Sequence, residues 1–122
     1  MPPTMPTGSE PDPPPLPAWD ETAALAAVDG DDDLARELLA TLIAGLPSEL
    51  AGLKALAIRN DPVALAQAAH HMRGATRYCG VLALDAALED LERAARAGNT
   101  ARVTADLAQV AAEATRLIAA FP

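Results

Sequence analysis

Between Leu34 and Leu56, leucines recur at spacings of three and four: Leu34, Leu38, Leu42, Leu46, Leu50, Leu53 and Leu56. This is the 3.6-residue period of an α-helix, and it predicts one amphipathic helix over 32–58. Pro47 falls inside that span. A proline there removes one backbone hydrogen bond, which predicts a kink rather than an end, because the apolar stripe continues past it. A long helix with a single apolar stripe must bury it against other elements.

The remaining sequence supplies those elements, all helical. Asp20-Glu21-Thr22 precede a short apolar run, Ala23–Val28, which Gly30 and Asp31-Asp32-Asp33 interrupt. The three acids fall at the start of the long helix, where the dipole favours negative charge, so they read as capping residues and not as a metal site. Asp61-Pro62 marks the start of a third helix, with Asp61 as N-cap and Pro62 in the first turn. That helix is predicted to run to about Cys79, with Gly80 at C′. A fourth covers about 82–97, with Leu84, Leu88, Leu91 and Ala95 inward. Gly98-Asn99-Thr100 forms a turn, and a fifth covers about 100–120, with Val103, Leu107, Val110, Ala114, Leu117 and Phe121 inward. Short connections favour antiparallel neighbours. The expected fold is all-α, an antiparallel up-down four-helix bundle with a short accessory N-terminal helix. Aromatic residues are 2% of the chain, so Leu, Ala, Val and Ile must fill the core. Tyr78 is expected at the end of the bundle, capping it.

Residues 1–17 hold eight of the eleven prolines and read as an extended tail or linker, with the bundle domain over 18–122. Such a start hints that the domain is joined to something larger upstream. A net charge of −8 opposes nucleic-acid binding. No apolar run approaches the roughly 18 residues of a membrane span, and no signal peptide is visible. A single cysteine excludes an internal disulfide or a cysteine-cluster zinc site and suits a reduced, cytoplasmic setting. There is no Gly-rich phosphate loop, G-x-S-x-G or H-E-x-x-H, and no kinase signature or ATP site.

Chemistry concentrates on the third helix. Its inward arc is Leu65, Ala68, Ala69, Met72, Thr76 and Cys79. His70 lies about 160° from the centre of that arc and His71 about 100° away, so the adjacent histidines cannot easily share a metal. Around His70 sit Ala66, Gln67, Arg73, Gly74 and Arg77. Gly74 costs a mid-helix position roughly 1 kcal/mol against alanine. Its benefit is clearance for another protein's concave site beside the imidazole. Arg73 and Arg77 are placed to neutralise an anion there, and this helix alone is locally positive. Gln67 is placed either to orient the imidazole or simply in solvent. A lone exposed histidine is ordinary surface; the conjunction on one face points to phosphoryl transfer onto imidazole nitrogen. The acid, base and metal for such a step are missing from the chain and must come from a partner, so this is a carrier and not a self-sufficient enzyme. The alternative is a helical interaction or dimerisation module in which His70 is incidental.

The segment Ala69-His70-His71-Met72-Arg73-Gly74-Ala75-Thr76, with Gly80 and the later pair Leu91-Glu92, resembles the histidine-containing phosphotransfer (HPt) domain. The run Gly74–Val81 is most similar to the C-terminal HPt domain of GacS/BarA-type hybrid sensor kinases, although Arg73 and Leu82 stand where that subgroup often has histidine and proline. The resemblance implies a four-helix bundle with His70 as the phosphorylated residue, His71 at a variable position, Arg73 as the usual basic residue and Gly74 as the small one. It implies a relay: the aspartyl phosphate of a receiver domain in a hybrid sensor kinase, acting with the receiver's own Mg²⁺, is attacked by His70 Nε2 and then passed to the receiver of a response regulator. Arg73, with Arg77, would stabilise the equatorial oxygens. Apolar residues of the first and second helices would make much of the receiver contact. The carrier would need no cofactor or metal of its own. It would be a monomer in the bacterial cytoplasm, free or tethered within a membrane sensor kinase. An HPt domain phosphorylated directly by an ATP-binding domain is disfavoured, because no acid lies within one turn of His70 to polarise the imidazole.

Overall fold

A computed structural model describes residues 16–121. Five helices follow one another: α1 Glu21–Ala27, α2 Asp32–Ile58, α3 Pro62–Thr76, α4 Leu82–Arg96 and α5 Thr100–Ala120. Asp61 and the Asp31–Asp33 run cap their helices as expected, and Asp20 and Asn99, not singled out as caps from the sequence, do the same. Asp20, Asp31, Asp61 and Asn99 each accept the N3 backbone N–H of their helix, at 3.0, 3.0, 3.0 and 3.1 Å. Such a cap contributes about 1 kcal/mol. Helix α4 has Val81 as its N-cap and so no side-chain cap. Its second N–H, from Ala83, donates instead to the carbonyl of Pro17 at 3.3 Å. Arg116 of α5 holds the neighbouring Leu16 carbonyl. Leu16 and Pro17, expected to belong to the tail, therefore touch the bundle; the rest of that tail lies outside the described residues.

Helices α2, α3, α4 and α5 close a ring in which α3 packs on α2 and α4, and α5 packs on α4 and α2. The connections are short, as an up-down bundle requires. Buried Leu42, Leu46, Leu53, Leu65, Leu84, Leu88, Leu91, Val110 and Leu117 form the centre. No aromatic ring is buried there. Trp19 and Phe121 meet edge-to-face at 5.4 Å and close one end, while Tyr78, expected to cap the core, is 56% exposed.

The leucine stripe of α2 needs one correction. Leu34 is exposed and Leu39, absent from the predicted stripe, is buried. A strict four-residue spacing advances by about 40° per step, so Leu34 ends up about 100° from the centre of the face that Leu42, Leu46 and Leu53 share. The helix runs unbroken through Pro47. By length and composition alone α2 is long and apolar enough to cross a membrane, against the expectation that no apolar run approaches that length. Its leucines other than Leu34 pack in the bundle, and exposed Ala40, Ala44, Ala51 and Ala55 raise the hydropathy without a large apolar side chain.

Helix α3 stops at Thr76, short of the expected Cys79. The chain turns there because Gly80, at φ +70°, carries its carbonyl to the N–H of Asp20 at 2.8 Å. The Cys79 carbonyl accepts from Trp19 Nε1 at 3.0 Å. A Cβ on Gly80 would sit 2.5 Å from the Asp20 carbonyl oxygen and 2.9 Å from Ala24, so only glycine allows this approach. The N-terminal segment is thus clipped to the α3–α4 turn, which fixes the C-terminal end of the helix that bears the histidines.

Candidate functional site

Asp61 and Pro62 set the start of α3, and from there each side chain takes its bearing. His70 is about half exposed and leans toward α4. Its Nδ1 stands 3.3 Å from Oε1 of Glu92, whose side chain is 7% exposed. Arg96, one turn further along α4, holds the other Glu92 oxygen at 2.6 Å. With the Glu92 oxygen as acceptor, this contact places a proton on Nδ1. In the neutral imidazole the lone pair is then on Nε2, the nitrogen directed away from Glu92.

This contact overturns the expectation that no acid flanks His70. The acid is remote in sequence and comes from the facing helix. Leu91-Glu92 carried the family resemblance, but Glu92 was not placed at the site. A signal was there: Asp85, Glu89, Glu92 and Arg96 are spaced by four, three and four, which lines them along one face of α4.

Arg73 also departs from its predicted role. Its side chain is 15% exposed and spans the α3–α4 seam. Nε meets Asp85 at 3.4 Å, one terminal nitrogen meets Glu89 at 3.6 Å and the other meets Glu92 at 3.6 Å. Asp85 also accepts from the buried hydroxyl of Thr76 at 2.7 Å. Burial works against the charged guanidinium, yet the hydrogen bond to Asp85 and the pull of the three carboxylates outweigh it and raise the Arg73 pKa. Arg73 is therefore a strut between helices and not a free cation facing solvent. The local field is not positive, as α3 alone suggests, because α4 supplies three carboxylates.

Ala66, predicted on the solvent side with His70, is buried because α4 covers that flank of α3. Gly74 is exposed, and a Cβ added there would meet nothing within 4 Å, so the clearance beside the imidazole is present. Arg77 is exposed at the C-cap, with no ion pair among the described residues. Gln67 is exposed, and no hydrogen bond joins it to the imidazole. His71 points to the other flank of α3 and lines a groove with α2 beside Glu49 and Leu53. A second groove of about 510 Å³ runs between α2 and α3 past Leu38, Gly45, Gly74, Ala75 and Tyr78. Among the described residues, no group of three His, Cys, Asp or Glu is placed to hold a metal ion.

The comparisons converge on one family. The Hpt domain family model matches residues 37–120. The chain belongs to the Hpt domain family. Over 73 residues, 60% of its length, it is 45% identical to the sensor histidine kinase GacS of Pseudomonas protegens. Over a stretch of the same length it is 36% identical to the sensor protein GacS of Pseudomonas syringae pv. syringae. The chain spans only 8% of the length of each of these relatives. Among solved structures, the histidine-containing phosphotransfer protein HptB of Pseudomonas aeruginosa superposes with a TM-score of 0.76 at 26% identity, covering 86% of this chain and 91% of that one. The HPT domain of a Shewanella sensor hybrid histidine kinase superposes with a TM-score of 0.75 at 21% identity, covering 84% and 89%. This Hpt domain is a histidine phosphocarrier of a phosphorelay, a transfer module and not a kinase.

Proposed function

We propose that His70 carries the phosphoryl group, taking it from the aspartate of a receiver domain and passing it to the receiver of a response regulator. The observation that carries this reading is the pairing of His70 Nδ1 with buried Glu92, beside the open surface at Gly74. It leaves Nε2 as the nucleophile with its lone pair outward. His71 has no comparable partner among the described residues.

In the forward step, Nε2 attacks the phosphorus of the acyl phosphate in line. The N–P bond forms, the P–O bond to the aspartyl carboxylate breaks, and the carboxylate leaves. No proton has to depart from Nε2. The imidazole becomes cationic with its proton on Nδ1, and the Glu92 carboxylate 3.3 Å away stabilises that charge. The return step reverses these changes toward the second aspartate. Mg²⁺ held by the receiver would neutralise charge on the phosphoryl oxygens. The chain itself supplies nucleophile, orientation and a docking surface, and takes the group from its partner instead of from ATP. The groove between α2 and α3 past Gly74 and Tyr78 is the surface for the receiver. Arg77, exposed one turn beyond Arg73, is the cation available to the docked phosphoryl group. The carrier acts as a monomer in the cytoplasm, alone or as part of a membrane sensor kinase.

The test is transfer from a phosphorylated receiver, with Mg²⁺, to the wild type, His70→Gln and His71→Gln. Acid-labile, base-stable label is expected on the wild type and His71→Gln and absent from His70→Gln. Label lost only with His71→Gln would put the chemistry on the other flank of α3. No label on any variant, across several receivers, would favour an interaction module. The Glu92 contact removes the sequence-level objection to direct phosphorylation by an ATP-binding kinase domain, so that donor belongs in the same experiment. Label from it, and from no receiver, would displace the relay reading.

A further inference from the structure

The Arg73 guanidinium is the basic group nearest the imidazole on α3, and it is already engaged. Its three nitrogens meet Asp85, Glu89 and Glu92 at 3.4 to 3.6 Å. Two of these acids have other duties. Asp85 accepts the hydrogen bond of the buried Thr76 hydroxyl, and Glu92 accepts from His70 and Arg96. Glu89 has none of this kind. Its side chain is 47% exposed, and among the described residues its second oxygen is steadied only by the exposed Arg93 at 3.2 Å. Of the three carboxylates, Glu89 is the one that can yield or be replaced without disturbing the core.

Resting on the assignment of His70, we propose that Glu89 sets the transfer equilibrium by competing with the phosphoryl group for Arg73. A phosphoryl group on His70 Nε2 brings about two negative charges to the outer edge of this seam. Arg73 can turn a terminal nitrogen toward it only by giving up a carboxylate. Glu89 is the carboxylate it gives up, because Asp85 is anchored by Thr76 and Glu92 by burial and Arg96. The phosphohistidine therefore gains less from Arg73 than it would beside a free guanidinium. Its transfer potential stays high, and the group moves on to the next aspartate. The acids on α4 thus tune a relay that needs both directions open, and Glu89 is a positioning residue that acts through Arg73.

Among the charged groups that face the seam, α3 contributes His70 and Arg73, and α4 contributes Asp85, Glu89, Glu92, Arg93 and Arg96. Removing Glu89 frees one Arg73 nitrogen and leaves the His70–Glu92 contact as it is. The experiment measures the equilibrium distribution of label between a receiver and the full chain for the wild type, Glu89→Gln, Arg73→Gln and the double variant. Glu89→Gln is expected to shift label toward the carrier by about two- to five-fold, the range of an exposed ion pair. In the Arg73→Gln background the same change is expected to have no effect. An unmoved equilibrium with Glu89→Gln would overturn the inference, as would a shift of equal size without Arg73, which would reflect a charge lost at a distance. Failure of the wild type to take label at His70 would overturn the underlying assignment instead, so the two failures are distinguishable. Circular dichroism melts of the four proteins confirm that each is folded.

Discussion

The two flanks of α3 are made of opposite materials. Toward α4 lies a seam of charge, in which His70, Arg73, Asp85, Glu89, Glu92 and Arg96 meet within 2.6 to 3.6 Å. Toward α2 lies a groove of small and apolar side chains, Leu38, Gly45, Gly74 and Ala75, with Tyr78 at its edge. The seam has direction: each charged atom is fixed by a partner, so it can hold an imidazole in one tautomer and orientation. The groove has shape without direction, and it suits a partner surface that arrives and leaves. In the proposed relay, chemistry and recognition therefore lie on different flanks of α3, and the two are expected to be alterable independently.

The largest expected effect breaks the seam. Glu92→Ala removes the acceptor for Nδ1, lets both tautomers and a range of ring orientations populate, and should slow phosphoryl transfer by on the order of 100-fold. Glu92→Gln keeps a carbonyl acceptor in place and should recover much of that rate. Rapid-quench kinetics of label transfer would separate the two; equal losses would mean that charge and not orientation matters.

The next effect sharpens the groove. Nothing lies within 4 Å of a Cβ at Gly74, so Gly74→Ala should stabilise the fold by about 0.5–1 kcal/mol through helix propensity. Gly74→Leu should remain folded yet lose transfer from a receiver by roughly tenfold or more, through blocked docking. Thermal melts and transfer rates measured on the same samples check this. A Gly74→Leu protein that transfers normally would exclude the groove from the receiver interface.

A smaller effect tests whether the seam also holds the bundle. Thr76→Val leaves Asp85 short of its 2.7 Å hydrogen bond and should cost about 1–2 kcal/mol in a urea titration, with His70 still reactive. The smallest concerns Cys79, whose thiol pKa burial raises. With the folded pKa above the unfolded one, the contribution is complete below the unfolded value of about 8.5 and is lost as pH rises through the folded one. The wild type should therefore lose stability with rising alkaline pH more steeply than Cys79→Ala, as followed by urea midpoints across that range.

The difference between the flanks also explains what was legible in the sequence. Apolar spacing marked the helices, and Asp61 and the Asp31–Asp33 run marked two of their starts, because caps and periodicity are local. The open side of α3 was legible for the same reason: one helical wheel places His70 and Gly74 outward. The seam was not, because a wheel of α3 contains no information about which helix covers it. Ala66 and Arg73 were placed in solvent and His70 in a positive field for want of α4. The end of α3 at Thr76 was likewise hidden, since it depends on Trp19 and Asp20 reaching Cys79 and Gly80 from about 60 residues away.

The most direct test of the account is ¹⁵N NMR of the two histidine rings, before and after phosphorylation, with Glu92→Ala as the comparison. The wild type should show neutral His70 as the Nδ1–H tautomer, and phosphorus coupling should appear at His70 Nε2. The tautomer preference should fade in Glu92→Ala. A wild-type His70 protonated on Nε2, or coupling at Nδ1 or at His71, would contradict the claim that the α3–α4 seam prepares the nucleophile.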